Sequence, residues 1–119
     1  MDASDFLVTL RAEFPDLVEE LDDETWRGLL HVETGCFARY AQAAIDRGDR
    51  ALVSRCFDFA RQAWLSGTPD VRNALAVSFV EHVNFSDGKV KRESAFDLLP
   101  VPLRDVAQEM GIGRGYRRP

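Results

Sequence analysis

The apolar positions recur at helical spacing from one end of the chain to the other. Phe6, Leu7, Leu10 and Phe14 form one stripe and predict a first helix, with Ser4 as its N-cap and Pro15 as its stop. Leu17, Val18 and Leu21 predict one or two short turns inside an acidic connector. Trp26, Leu30, Glu33, Phe37, Tyr40 and Ala44 then alternate spacings of four and three, and Leu29, Cys36, Ala41 and Ile45 widen that face. They predict a long second helix, capped by Asp22 or Asp23 and closed at Gly48, where a helix-ending glycine belongs.

Asp49 caps a third helix, with Leu52, Val53, Cys56, Phe57, Ala60, Ala63 and Trp64 on its buried side and Gly67 at its end. Thr68-Pro69-Asp70 opens a fourth, because proline fits the first helical position. Its core face is Ala74, Leu75, Ser78, Phe79 and Val83; Val71, Ala76, Val77 and Val80 add apolar breadth, which predicts a central place in the bundle. Asn84 to Lys89 read as a turn, Lys91 to Leu99 as a short helix, and Pro102 to Met110 as a last helix ended by Gly111. No stretch alternates with the period of a strand. The fold expected is all-α: a compact bundle of about six helices, built of antiparallel helical hairpins with HEAT-like or TPR-like stacking character. It is expected to be one domain over residues 1–110, with residues 111–119 as a flexible basic tail.

Length and composition agree with this picture. A chain of 119 residues suits one domain with a core of its own, needing no metal or disulfide. Cys36 and Cys56 lie within helical patterns and read as reduced, half-buried small hydrophobes, although adjacent antiparallel helices would permit a disulfide. No cationic segment followed by an apolar one opens the chain, and no apolar run approaches the ~20 residues that span a bilayer, so the cytoplasm is the expected compartment and no membrane contact is expected.

Charge changes the picture more. Residues 1–35 hold ten acids against Arg11 and Arg27, a net of −8, whereas the remainder is +3. That layout argues against nucleic acid as a partner, since phosphate binding needs a basic face, and favours a basic protein. Asp16, Glu19, Glu20, Asp22, Asp23 and Glu24 form the densest run, with Trp26 beside them as an aromatic of the kind that anchors interfaces. The run also has a plainer reading as a solvated face that favours helix N-termini.

Candidate chemistry is sparse, and no enzymatic activity or cofactor is expected. His31 and Glu33 are two residues apart on a helix and diverge, His82 and Glu81 are adjacent, and no metal-ligand spacing is present. The cysteines lie on apolar stripes, where burial opposes a nucleophilic thiolate. Gly111-Ile112-Gly113-Arg114-Gly115 follows a helix and not a strand, which removes a dinucleotide reading. Arg47-Gly48-Asp49 is a helix end followed by a helix cap. Glu33 stands out because it lies mid-stripe between Leu30 and Phe37. A carboxylate there needs partners, with Asn73, Glu81, Arg39 and Arg72 as candidates. It reads as part of a buried polar network of Glu33, Asn73 and Glu81 that fixes helix register, as a carboxylate offered to a partner in a groove, or as a group at the stripe's edge.

Leu30-His31-Val32-Glu33-Thr34-Gly35, Ala38-Arg39-Tyr40, Ile45-Asp46-Arg47-Gly48-Asp49 and the run from Asn73 to Glu81 together resemble small acidic all-helical bacterial immunity proteins encoded beside polymorphic toxins. The resemblance covers roughly residues 10–85. It implies tight, stoichiometric binding that neutralises a co-produced toxin by covering its active surface. The alternative is a helical adaptor or regulatory module that binds another cellular protein.

Overall fold

The start of each helix shows how the sequence sets the fold. In the computed structural model, which describes residues 1–17, 29–85 and 90–111, α1 (Ala3–Glu13) is capped by Asp2 and not by Ser4. The Asp2 carboxylate accepts from the Asp5 amide at 2.8 Å, and the Asp5 carboxylate reaches back to the Asp2 amide at 3.4 Å. This reciprocal capping box needs an acceptor at both positions, which Asp2 and Asp5 supply; a box begun at Ser4 would place Leu7 at the second position. A 3-10 turn over Pro15–Leu17 follows.

The long helix α2 (Leu30–Arg47) starts later than the stripe through Trp26 implies. Leu29 is extended, with φ −86 and ψ 107, so a helix does not run unbroken through this point. The expected caps Asp22 and Asp23, and the turns at Val18 and Leu21, lie outside the described residues. The other end matches expectation. Gly48 adopts φ 77, its amide donates to Ile45 O at 3.0 Å, and the Asp49 amide donates to Ala44 O at 2.9 Å. Those two bonds make a Schellman ending, which costs a Cβ-bearing residue strain at the glycine position. Asp49 then accepts from the Leu52 amide and starts α3 (Arg50–Ser66), so one turn both stops α2 and starts its antiparallel neighbour.

Thr68 and Pro69 open α4 (Pro69–Ala74) as expected. The helix then widens into a π segment over Leu75–Val80, where the Glu81 amide donates five residues back to Ala76 O at 3.1 Å. A wider turn spreads the buried arc: Ser78, Phe79 and Val80 are all buried in succession, together with Ala74 and Leu75. Two short helices, α5 (Val90–Phe96) and α6 (Val101–Glu109), complete the bundle. Among the described residues there is no strand, so the fold is all-α.

α2 packs against α1, α3, α4, the π segment and α5, and is the element around which the bundle closes. Its Phe37 lies at the middle of a chain of rings. Phe37 stacks on Phe79 at 4.7 Å between centroids and meets Phe14 at 5.3 Å and Phe59 at 5.6 Å. Phe57, Phe85 and Phe96 extend the series toward α5. Burial of these rings ties α1, α3, the π segment and α5 to α2.

Candidate functional site

At the start of α2 the backbone leaves an extended residue and turns into helix over one contact. His31 Nδ1 and Ser78 Oγ share a hydrogen bond at 2.8 Å, joining the first turn of α2 to the π segment. Ser78 is buried and His31 is exposed, so the bond clamps a surface residue onto the core. Three large apolar residues on the two elements it joins are exposed: Leu29 at 51%, Val32 at 41% and Val77 at 40%. Val32 follows His31 and Val77 precedes Ser78, so each lies one residue step from the clamp. The expectation that Leu29 and Val77 broaden the buried faces of their helices is therefore corrected. Leu29 is outside the helix register, and the π turn leaves Val77 exposed beside buried Ser78.

Glu33 lies one turn inside this surface and is fully buried. Arg11 Nη2 of α1 donates to its Oε1 at 2.7 Å. Burial of Glu33 agrees with the sequence reading, but the expected network with Asn73 and Glu81 does not form as a buried unit. Both of those residues are exposed. Only one of the two expected arginines lies on α2: Arg39 Nη2 donates to Cys36 Sγ at 3.1 Å, while Arg72 Nε donates to Trp64 O at 2.8 Å. The partner from α1 was missed because nothing in a helical stripe shows which cation, 22 residues away, faces the carboxylate.

Of the acidic run, Asp16 is described and exposed. Its charge lies near Tyr40 of α2, whose phenol pKa is raised by burial first and by Asp16 second. Glu19, Glu20, Asp22, Asp23, Glu24 and Trp26 lie outside the described residues. By connectivity that stretch leaves Leu17 and ends at Leu29, the first residue of the exposed apolar surface.

A family model described as a domain of unknown function, DUF7674, matches residues 7–112. The chain belongs to that family. No curated protein and no solved structure matches it. The matched span of this DUF7674 domain takes in Arg11, Glu33, the His31–Ser78 clamp and its apolar flank. Elsewhere in the domain, Cys36 and Cys56 are free thiols, both fully buried and not half-buried as expected. Burial pushes the Cys56 thiol up to about 12, which keeps it protonated and unreactive at neutral pH. His82 is exposed. Among the described residues of the DUF7674 domain, no group of three or more His, Cys, Asp or Glu is placed to hold a metal ion. Nor is any described helix long and apolar enough to cross a membrane.

Proposed function

We propose that this chain acts by binding another protein, as an immunity-type protein that covers the active surface of a toxin made in the same cell. The observation that carries the reading is the exposure of Leu29, Val32 and Val77 on the two elements that the His31–Ser78 clamp joins. Stable interfaces place such residues at a dry centre with polar groups around the rim. Here the centre stands on a rigid footing, because His31 is bonded to a buried serine and Glu33 beneath is paired with Arg11.

The acidic run joins this centre directly along the chain, ending five residues before Leu29 at Glu24. Its charge suits a basic partner and would speed encounter, with association reaching about 10⁸–10⁹ M⁻¹s⁻¹ at low salt. In this reading the chain performs no chemistry, needs no cofactor and works in the cytoplasm, where the toxin is made. The His31–Ser78 pair is a structural clamp and not a nucleophile with its base.

The test is co-expression. Proteins encoded beside this chain are produced singly in a bacterial host, and any that halts growth is paired with wild-type chain or with the Val32→Asp/Val77→Asp variant. The reading expects growth to return with wild type and not with the variant. A chain that relieves no neighbouring toxicity, or a variant that protects as well as wild type, contradicts it.

A further inference from the structure

A second feature lies at the other end of α2, remote in sequence from the apolar surface just described. The turn that ends α2 and starts α3 meets α5 across a cavity of about 230 Å³. Its floor is aliphatic: Ile45 of α2, Val53 of α3, and Ala95 and Leu98 at α5 and just beyond it. Two cations, Arg50 and Lys91, stand on its rim.

The nearby carboxylates are committed elsewhere. Asp46 receives Arg92 through Nε at 2.8 Å and Nη2 at 2.9 Å, a two-pronged ion pair. Asp49 accepts from the Leu52 amide at 3.2 Å and lies 3.8 Å from Arg47. Among the described residues neither Arg50 nor Lys91 forms an ion pair. The lysine stem lies along the turn, since a Cβ at Gly48 would touch its Cε at 3.4 Å, and its ammonium is 3.5 Å from Asp46 O. The ammonium is thus held at the cavity mouth. Arg50 is the first residue of α3, where the helix dipole adds partial positive charge.

We infer that this cavity binds a small amphipathic carboxylate, its alkyl chain against Ile45, Val53, Ala95 and Leu98 and its carboxylate between Arg50 and Lys91. Charge and size both select the class. An aliphatic floor takes an alkyl group, two unpaired cations at one rim take a monoanion, and no carboxylate lines the cavity to take a cation. The volume falls below the range of about 300–1,000 Å³ typical of drug-sized ligands, which points to a chain on the order of eight carbons.

The test is an NMR titration of the full chain with three probes of equal length: octanoate, 1-octanol and octylammonium. Octanoate is expected to shift the methyl signals of Ile45, Val53, Ala95 and Leu98 in a saturable way, and to bind at least about tenfold tighter than either other probe. Charge reversal by Arg50→Glu and Lys91→Glu together is expected to remove that preference and leave octanol binding within about threefold of wild type. Octanoate that moves none of these methyls, or octylammonium that binds as tightly as octanoate, overturns the inference. The three-probe comparison uses wild-type protein, so it decides the matter even if the reversed variant does not fold. It is also independent of protection against a toxin.

Discussion

Arg11 of α1 and Glu33 of α2 meet at 2.7 Å with the carboxylate fully buried, so the first helix is fastened to the central one by an ion pair beneath its apolar contacts. Removing one member of such a pair takes a charged partner from a buried carboxylate, which costs up to about 3–5 kcal/mol. Arg11 is partly exposed, so water can reach toward the gap, and Arg11→Met is expected to cost about 3 kcal/mol in urea unfolding. The double change Arg11→Met/Glu33→Leu is expected to regain most of that loss, because two apolar groups leave no charge to bury. A double variant no more stable than the single one would show that the pair does not account for the cost.

The two glycines that end α2 and α3 serve different purposes, and substitution separates them. Gly48 takes φ 77, so Gly48→Ala places an alanine in the left-handed region at a cost of about 1 kcal/mol, and Gly48→Asn is expected to cost less. Gly67 is extended, but a Cβ there would lie 2.4 Å from Ala63 O and 2.9 Å from Val71 Cγ1. Gly67→Ala must therefore move backbone, and is expected to cost about 1–3 kcal/mol, with no relief from asparagine. Thermal unfolding of these three variants and of Gly67→Asn checks the ranking.

Much of the fold was legible in the residues, and the reasons are local. Gly48-Asp49 and Thr68-Pro69 carry their own stop and start signals, and the helical spacing of Phe37, Tyr40 and Ala44 requires no tertiary information. What stayed hidden depends on through-space neighbours. No residue type marks the π segment, so the outward turn of Val77 was not readable. Leu29 continues the apolar spacing of α2 yet lies just outside the helix. Val32 was the available clue to the surface, as an apolar residue off the stripe. The pairing of Glu33 with Arg11, in place of Asn73 or Glu81, depends on how α1 crosses α2, which spacing within either helix does not fix.

Cys56 predicts a pH dependence. Burial raises its folded-state pKa to about 12 from an ordinary value of 9.0, so the folded chain keeps a proton that the unfolded chain releases. Its contribution to stability is whole below pH 9 and is lost as pH climbs toward 12. Tyr40, also raised, acts in the same direction. Urea unfolding between pH 8 and pH 11 is expected to show a shallower decline for Cys56→Ala than for wild type. Parallel declines would remove Cys56 as a cause. At pH 8, Cys56 should react with a thiol reagent only as the chain unfolds.

The acidic run makes a kinetic prediction. Reversing Glu19, Glu20, Asp22 and Asp23 to lysine should slow association with a basic partner by about tenfold or more at low salt, and flatten its salt dependence. Dissociation should change little if those side chains steer and do not anchor. Stopped-flow association at several salt concentrations reads both effects, and unchanged kinetics would take the run out of the account.

The central claim is that Leu29, Val32 and Val77 form the centre of a protein interface, and calorimetric titration of the purified partner tests it most directly. Val32→Asp/Val77→Asp alters two exposed positions, so helical content and unfolding midpoint should stay near wild type. The account predicts that affinity falls by about a hundredfold or more, the effect of removing close to 3 kcal/mol from an interface centre. A folded variant that binds the partner as tightly as wild type would contradict it.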